Sequence, residues 1–321
     1  MSDGTGALVS IVIPTYNGAR YLPEAIESAL AQTYPYIEVV VVDDGSTDET
    51  AQLVAGYGKR VTYLRQDNAG PSVARNRGIT ASHGDFLCFL DSDDKLRPEM
   101  VSALVAHADD ETVGVVYCGH YLTSPDGKVV GQSSLDGPSG DVFEELFRRG
   151  GLCVMHAAIV RRSAALRAGL FDIRLRQWED YEFWIRVAKC CKFKFVPAHL
   201  VEYRQLMGSN GRDRSRRVRS VRVLRSLLRA WVASGEVPKH VERQAEVHLH
   251  RARLQQIAQD AFLCYWAGDR SAAGRLALRA IAGGPRYMFN RGLWAIAAKF
   301  VLAASRSVSD RAADEGGDRP R

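Results

Sequence analysis

A cluster of acidic residues closes an apolar run near residue 90. The apolar segment 86–90 is followed by Asp91, Asp93 and Asp94 within four residues. Two like charges about 4 Å apart repel by about 4 kcal/mol at an effective dielectric near 20, so a cation between the carboxylates would stabilise them. Oxygen ligands suit Mg²⁺ or Mn²⁺, which substrate phosphates commonly complete. The cluster therefore predicts a divalent metal and a phosphorylated substrate. The alternative is a polar turn before the helix that begins near Pro98.

Strands and helices alternate through the first third of the chain, and they must position this cluster. The predicted strands are 9–13, 37–42, 61–64 and 86–90, and the predicted helices are 21–32, 48–57, 72–82 and 98–108. Alternation at this spacing predicts right-handed crossovers and a mainly parallel sheet with flanking helices.

Three of the predicted strands end in polar turns, at 14–18, 43–46 and 91–94. Ligands bind at the carboxyl ends of such strands, so we expect these turns to converge on one crevice. Ser46 followed three residues later by Glu49 predicts a capping box at the start of the second helix. The acidic pair at 43–44 precedes that cap, which makes it a better candidate for ligand contacts.

The later segments predict a different organisation. Shorter strands and helices are expected between residues 113 and 204, and a hinge or mobile loop around 208–211. Four helical segments follow, over 218–233, 241–267, 271–282 and 287–304. Their short turns predict a C-terminal helical unit. We expect a flexible N-terminus over 1–7 and a disordered tail over 305–321.

The bulk composition fits a packed, soluble protein with 46% apolar residues and a net charge of +6. That charge suits an anionic partner such as a nucleotide or a lipid phosphate, although moderate basicity is common without one. Six cysteines without a C-x-x-C pair, no secretory leader and no apolar run of about 18 residues favour a cytoplasmic chain. No feature predicts a nucleic-acid partner.

One C-terminal segment raises the question of membrane contact. Residues 292–302 are largely apolar and have Arg286, Arg291 and Arg306 nearby, so the segment could lie in an anionic interface at the inner face of the cell membrane. An ordinary packed helix explains the pattern equally well. We predict at most peripheral attachment.

Four blocks together resemble glycosyltransferase family 2, the inverting nucleotide-sugar transferases of the GT-A fold. They are Ser10-Ile11-Val12-Ile13-Pro14-Thr15-Tyr16-Asn17, Val42-Asp43-Asp44-Gly45-Ser46-Thr47-Asp48, Gly70-Pro71-Ser72-Val73-Ala74-Arg75-Asn76-Arg77-Gly78 and Leu90-Asp91-Ser92-Asp93-Asp94. The resemblance covers about residues 8–205. It implies an α/β fold of the GT-A type, with a catalytic domain over 8–212 and the helical region over 213–304.

The resemblance also implies the residues of the donor site. Pro14, Thr15, Tyr16 and the pair Asp43 and Asp44 would hold the nucleoside. Asp44 would accept the uracil imide hydrogen, so uridine is the favoured base and a UDP-sugar the favoured donor.

The D-x-D motif of the family maps onto the acidic cluster. Asp93 is then the first choice as direct metal ligand, with Asp91 contacting ribose or a metal-bound water and Asp94 a further candidate. The metal, Mn²⁺ or Mg²⁺, would neutralise the leaving diphosphate.

The family's general base is an acidic residue in an E-D pair at the start of a helix, which Glu179 and Asp180 match, with Asp180 the preferred base. Inversion by direct displacement needs only one carboxylate near the acceptor hydroxyl. For Glu179 the alternative is a helix-dipole partner. Trp178 is assigned to the acceptor site and Trp184 to the core. Glu182 is expected to be a helix-face residue.

Three basic side chains are further candidates for the site. Arg75 either contacts phosphate or solvates a helix face, and Arg204 could clamp the diphosphate. Members of the family often have a histidine two residues after the Tyr-Arg pair, but Gln205-Leu206 follows here, so a third protein metal ligand is in doubt. His156 either faces the acceptor or, as the preferred interpretation, is a satisfied core histidine.

The leading hypothesis is therefore an inverting transfer of a sugar from a UDP-sugar to a hydroxyl of a glycan or lipid-linked acceptor. Nucleotidyl transfer would use the same residue types but release UMP instead of UDP. A sugar-nucleotide-binding scaffold would need no base at residue 180. A dehydrogenase is disfavoured because no G-x-G-x-x-G follows the first strand.

Overall fold

The structure is a computed structural model that describes residues 6–149, 155–175, 178–206, 214–266, 268–284 and 289–301. The chain forms two compact units, Met1–Glu242 and Arg243–Arg321. The hinge predicted at 208–211 and the tail predicted at 305–321 lie outside the described residues, as do the first five residues of the predicted flexible N-terminus. The domain limits at 212 and 213 stay a prediction.

The first four strands of the first unit form the parallel part of a nine-stranded sheet, in the order β3-β2-β1-β4. They are β1 (Val9–Thr15), β2 (Ile37–Asp43), β3 (Thr62–Arg65) and β4 (Phe86–Phe89). Helices α1 (Leu22–Leu30), α2 (Thr50–Ala55) and α3 (Pro71–Ala81) connect them. The strand order reverses between β1 and β4, which is where open α/β sheets bind ligands.

The remaining strands make the sheet mixed. They are β5 (Lys95–Leu96), β6 (Val113–Thr123), β7 (Val129–Gln132), β8 (Ala158–Arg161) and β9 (Lys192–Arg204). Strand β8 pairs antiparallel with β4 and β6, while β6 pairs parallel with β9. The helices of this part are α4 (Met100–Val105), α5 (Phe143–Arg149), α6 (Arg162–Ala168), α7 (Glu179–Ala188) and α8 (Arg214–Ala233). The predicted α/β fold is confirmed.

The core lies around the parallel strands because both faces of these strands are covered. Nearly every residue of β1 is buried, as is usual for a parallel strand between two helix layers. Helix α3 packs closely on β1 through Gly78, where a Cβ atom would lie 2.2 Å from Cγ1 of Val12. Burial of each large aliphatic side chain stabilises such a core by about 1.5–3 kcal/mol.

The predicted capping box is wrong. Helix α2 begins at Thr50 with Glu49 in the cap position and no side-chain cap bond. The hydroxyl of Ser46 instead accepts the Asn17 N–H at 2.9 Å. Asp48 Oδ1 accepts the N–H of Thr50 at 3.1 Å. The Ser46 hydroxyl thus forms a contact between two strand-end turns, and α2 starts four residues after Ser46.

The second unit is helical, as predicted. Its helices are α9 (Lys239–Trp266), which begins just before the unit boundary, α10 (Arg270–Gly283) and α11 (291–301). The side chain of Asp269 caps α10 by accepting the N–H of Ala272 at 2.9 Å. Its core consists of aliphatic residues from all three helices, including Ile257, Ala277 and Leu293. Among the described helices, none has the length and apolarity needed to cross a bilayer.

Candidate active site

The turns after β1 and β2 are joined into one platform at the carboxyl edge of the sheet. Asn17, with φ of 51°, donates its N–H to Ser46 and accepts the Thr47 N–H at 2.8 Å through Oδ1. The Gly18 N–H donates to Thr50 Oγ1 at 3.1 Å. The predicted convergence of these two turns is confirmed.

Asp43 contacts its own turn and a neighbouring strand. Its carboxylate is fully buried. Oδ1 accepts the Ser46 N–H at 2.7 Å and Oδ2 accepts the Tyr63 hydroxyl at 2.6 Å. Burial and the Asp43 charge raise the pKa of Tyr63 to about 12, so the tyrosine stays a proton donor. These contacts stabilise the platform from within.

Asp44 holds the loop that leads into α3. Its Oδ1 accepts the Gln66 side-chain amide at 2.7 Å and the Ala69 N–H at 2.9 Å, and its Oδ2 accepts the Gly70 N–H at 2.7 Å. A carboxylate has about four acceptor positions, so one remains. Gly45 is required beside it, because its φ is 82° and a Cβ would lie 2.9 Å from the Asn68 nitrogen.

The other predicted nucleoside residues lie at the end of β1. Pro14 pairs with Val42 of β2. Thr15 is buried, and its Oγ1 has no hydrogen-bond partner within the part of the chain that the structure describes. Tyr16 is 52% exposed. The end of β1 therefore offers one unsatisfied hydroxyl and one exposed ring.

The acidic cluster after β4 lies beside His156, which precedes β8. Asp94 is buried, and its Oδ1 accepts the Arg204 backbone N–H at 2.7 Å. Nδ1 of His156 lies 3.1 Å from Asp94 Oδ2 and 3.9 Å from Asp91 Oδ2. The Asp94 contact is an ion pair without hydrogen-bond geometry, since among described residues neither ring nitrogen of His156 nor Asp94 Oδ2 has a hydrogen-bond partner.

Burial and mutual repulsion perturb the protonation of this cluster. Burial, with the charges of Asp91 and Asp93 and against that of His156, raises the pKa of Asp94 to about 7. Burial and Asp91 also raise the pKa of Asp93. Burial acts the same way on Asp91, but the nearby Arg75 charge outweighs it and lowers the pKa of Asp91. Burial opposes a charge on His156, yet the carboxylates raise its pKa. The cluster therefore favours a bound positive charge.

Arg75 on α3 joins the acidic cluster to α7. Its side chain is 6% exposed. Nη2 donates to Asp91 Oδ1 and Nη1 donates to Glu179 Oε1, both at 2.8 Å. The interpretation of Arg75 as a solvated helix-face residue is wrong, because two carboxylates from distant segments draw the guanidinium inward. Its contact with phosphate stays a prediction.

The N-terminus of α7 carries the predicted base. Trp178 precedes the helix with φ of 67°, a left-handed conformation that is a strained outlier for a bulky residue. Asp180 Oδ1 accepts the Tyr181 N–H at 2.8 Å. Burial, followed by the charge of Glu179, raises the pKa of Asp180 to about 6. This carboxylate is thus ionised yet basic near neutral pH.

Two residues of α7 have structural roles. Trp184 is buried in the core, as predicted. Glu182 is also buried, because Arg186 forms a bidentate pair with its carboxylate, at 2.6 and 2.7 Å, and binds the carbonyl of Gly169 at 2.8 Å. Glu182 therefore pairs along its own helix face, and that face is buried.

Arg204 at the end of β9 is bonded within the protein. Its guanidinium donates to the carbonyl of Asp93 at 2.8 Å, the carbonyl of Pro125 at 2.9 Å and Glu24 Oε2 at 2.7 Å. The side chain is buried. Arg204 therefore secures the acidic turn onto β9, and the diphosphate clamp stays a prediction.

The environment of His156 differs from the one that the sequence predicted. The preferred interpretation as a satisfied core histidine is wrong, because its ring nitrogens lack hydrogen bonds among the described residues. Its ring contacts Tyr203, with the two centroids 5.2 Å apart. A signal was present in the sequence: the position two residues after Arg204 lacks a histidine, so another segment had to supply one if the site has one.

Comparison with known proteins shows which family the N-terminal half of the chain resembles. The model of the family described as glycosyl transferase family 2 matches residues 10–168. An uncharacterized glycosyltransferase of Rickettsia prowazekii, RP339, is 34% identical over 210 residues, 61% of this chain and 64% of that protein. The chain thus matches less than two thirds of that relative. The uncharacterized glycosyltransferase EpsJ of Bacillus subtilis is 38% identical over 122 residues, 37% of this chain and 36% of its own.

Solved structures share the fold. The S. aureus TarS structure in complex with UDP-GlcNAc has a TM-score of 0.63 and 20% identity, with 84% of this chain and 83% of the other covered. The mannosyltransferase PcManGT of Pyrobaculum calidifontis, in complex with GDP-Man and Mn²⁺, has a TM-score of 0.58 and 20% identity, with 96% and 88% covered. The chain thus shares the GT-A fold of these structures, and its residues 10–168 match glycosyltransferase family 2.

Proposed function

We propose that the chain is an inverting glycosyltransferase that moves a sugar from a nucleoside-diphosphate sugar to an acceptor hydroxyl. The observation that supports this most directly is the bridge made by Arg75. It links Asp91 of the metal motif to Glu179 of the base pair, at 2.8 Å on each side. Residues that are 88 positions apart (179 − 91) thereby contact the same side chain, which supports a common site.

In the proposed reaction Asp180 takes the proton of the acceptor hydroxyl. The acceptor oxygen forms a bond to the anomeric carbon while the bond from that carbon to the diphosphate oxygen breaks, and the diphosphate leaves with the bonding electrons. A base with a pKa of about 6 is mostly ionised at pH 7 and still accepts a proton. Glu179 is not proposed as the base, because its carboxylate is paired with Arg75. Trp178 is proposed to contact the acceptor.

The acidic cluster fits a divalent metal. Asp94 Oδ2 is buried without a hydrogen-bond partner among the described residues, and oxygen atoms of this kind are ligands for Mn²⁺ or Mg²⁺. Asp91, Asp93 and Asp94 are the candidate carboxylates from which its oxygen ligands would come. When bound, it would supply charge to neutralise the departing diphosphate.

The platform is the proposed nucleoside site. Asp44 has one acceptor position left, which would suit the uracil imide, and Tyr16 offers an exposed ring to the base. Pro14, Thr15 and Asp43 complete the turn. We therefore propose a UDP-sugar as the donor. The TarS structure in complex with UDP-GlcNAc supports this, and the PcManGT structure with GDP-Man makes GDP-sugars the alternative to test.

The acceptor is proposed to be a glycan or a lipid-linked glycan, with the chain in the cytoplasm. Peripheral contact with the inner face of the membrane would use α11, where Trp294 is half-exposed and Phe289 just before the helix is exposed. Pelleting with anionic vesicles tests this part, and release in high salt is expected for an electrostatic contact.

The decisive experiment measures the nucleotide released from panels of UDP- and GDP-sugars, with Mn²⁺ or Mg²⁺ and simple glycan acceptors. We expect UDP from one donor with the intact chain and release that is slower by about 10²–10⁴-fold with Asp180→Asn. Asp67→Asn, an exposed acid on the same unit, is the matched control and is expected to keep full activity. Release of UMP would indicate nucleotidyl transfer. UDP binding without release across the panel would favour the binding scaffold.

A further inference from the structure

His156 is a buried side chain that lies within ion-pair distance of Asp94 but makes no hydrogen bond to the described residues. It is 1% exposed, and both of its ring nitrogens are without hydrogen-bond partners within the described ranges. Buried polar groups are nearly always hydrogen-bonded, because burial without a partner is costly. The imidazole nitrogens are therefore candidates for contact with a bound ligand.

The two carboxylates that face His156 are already oriented toward a common point. Asp94 uses Oδ1 to accept the Arg204 N–H, and Asp91 uses Oδ1 to accept from Arg75. In each residue Oδ2 is the atom near Nδ1 of His156. Partners that fix one oxygen and leave the other free orient a metal ligand in this way.

The three side chains also have the spacing of a ligand set. One atom from each of Asp91, Asp94 and His156 lies within 4.8 Å of the other two. Asp94 and His156 are buried, whereas the Asp91 side chain is 34% exposed. The set therefore has a closed side and an open side. On the open side, water or phosphate oxygens could complete the coordination.

We propose that His156 is a direct metal ligand, together with Oδ2 of Asp91 and Oδ2 of Asp94, and that it makes the site selective for Mn²⁺ over Mg²⁺. Imidazole suits transition metals, while Mg²⁺ prefers oxygen ligands alone. His156 thereby takes the place of the histidine that the sequence lacks after Arg204. The role of the metal in this inference rests on the proposed function, whereas the identity of the metal ligands does not.

The test uses Mn²⁺ as the probe and the full chain without nucleotide. Mn²⁺ titration followed by electron paramagnetic resonance gives the affinity, and pulsed measurements detect a ¹⁴N nucleus bound to the ion. We expect one Mn²⁺ with a nitrogen coupling. In His156→Gln the coupling disappears and Mn²⁺ affinity falls about tenfold, whereas Mg²⁺ affinity changes less than threefold.

His120→Gln is the matched control. His120 also contacts the Tyr203 ring, with centroids 5.8 Å apart, but lies outside the three-ligand set. It is expected to keep the nitrogen coupling and the Mn²⁺ affinity. Should His156→Gln fail to fold, ¹⁵N-histidine labelling of the unmutated chain replaces it, because a bound imidazole must convert the ¹⁴N coupling into a ¹⁵N coupling.

Three results would overturn the proposal: bound Mn²⁺ without a nitrogen coupling, a coupling that survives in His156→Gln, or no Mn²⁺ binding. The first would leave His156 as a counter-charge for Asp94. Sugar transfer is measured separately. Metal-dependent transfer without nitrogen coordination would overturn this inference alone, and nitrogen-bound Mn²⁺ without transfer from any donor would overturn the proposed function alone.

Discussion

Two acidic turns lie at the same edge of the sheet, and they differ in how the protein satisfies their carboxylates. Asp43 and Asp44 after β2 accept five hydrogen bonds from their own turn, from Tyr63 and from the loop before α3. After β4, Asp94 accepts one backbone N–H and leaves Oδ2 without a hydrogen bond within the described chain. Asp43, Asp44 and Asp94 are all buried, so exposure does not explain the difference between them.

The difference separates a scaffold from a reactive site. Hydrogen bonds to an ionised carboxylate stabilise the charge, and the β2 turn has them in number. The carboxylate of Asp94 in the β4 turn accepts only one among the described residues, and its pKa rises to about 7 because burial and two neighbouring carboxylates disfavour its charge. Groups with perturbed protonation in a crevice are candidates for function, whereas satisfied groups maintain its shape.

The largest effect is expected at Asp180, whose pKa is raised like that of Asp94. Asp180→Asn keeps the shape and the acceptor for the Tyr181 N–H but removes the base. We expect turnover to fall by about 10²–10⁴-fold, the usual contribution of a general base. Nucleotide release measures turnover, and UDP affinity checks that the donor site survives. Turnover within threefold of the unmutated chain would contradict the base assignment.

The pH dependence of the same residue gives a second prediction. The rate is expected to rise with pH through about 6, because only the ionised carboxylate accepts a proton. Stability is expected to change in the opposite direction. The folded pKa lies above the ordinary value of 3.8, so the native state binds more protons between about 4 and 6 and loses stability there as pH rises, on the order of 2 kcal/mol.

Asp180→Asn provides the reference for this second prediction. Urea unfolding of the variant and the unmutated chain at pH 4.5 and pH 7 gives the difference in slope. The variant is expected to gain relative stability at the higher pH. An equal change in both chains would show that Asp180 titrates at its ordinary value.

Asp43 tests the other side of the comparison. Asp43→Ala leaves the Ser46 N–H and the Tyr63 hydroxyl without their acceptor, and buried groups without partners cost about 1–3 kcal/mol each. We expect a drop in the free energy of unfolding of about 3 kcal/mol in urea. Asp67 is an exposed acid in the loop between β3 and α3. Asp67→Ala is expected to change the free energy of unfolding by less than about 0.5 kcal/mol. Equal stabilities of the two variants would remove the distinction between the turns.

Much of this arrangement could be predicted from the sequence. Apolar runs and helical periods placed every strand of the parallel part to within two or three residues, because periodicity reports which faces are buried. The carboxyl ends of parallel strands meet at one edge of the sheet, so the turns that carry Asp44 and Asp91 could be predicted to converge. The role of Asp180 was predicted only from the family resemblance. The GT-A fold follows from the same blocks.

The partners of individual side chains could not be predicted. The burial of Arg75 depends on Asp91 and Glu179, which meet only after α7 packs beside β4. Arg204 is directed inward by Glu24, 180 residues away in sequence. His156 is unsatisfied because of the orientation of its ring relative to Asp94. Sequence patterns carry residue type and period, but they do not carry the distance between side chains from separate segments.

The smallest effect is expected at Tyr16, the exposed ring of the platform. Tyr16→Ala is expected to weaken UDP binding about fivefold, on the order of 1 kcal/mol, through loss of stacking on the base. Stability should change little, since the ring is 52% exposed. Tyr36→Ala is the control. The Tyr36 ring is 38% exposed, packs on Tyr34 and lies at the end of β2 that is opposite to the platform.

Comparing UDP with GDP in Tyr16→Ala sharpens the contrast between the two turns. Stacking does not depend on the identity of the base, so both affinities should fall by the same factor if the ring alone binds. The edge of the base would then be recognised by Asp44 through its one remaining acceptor position. A loss confined to UDP would instead mean that Tyr16 positions uridine for Asp44. In either case the turn after β2 takes part in choosing the donor and is more than a scaffold.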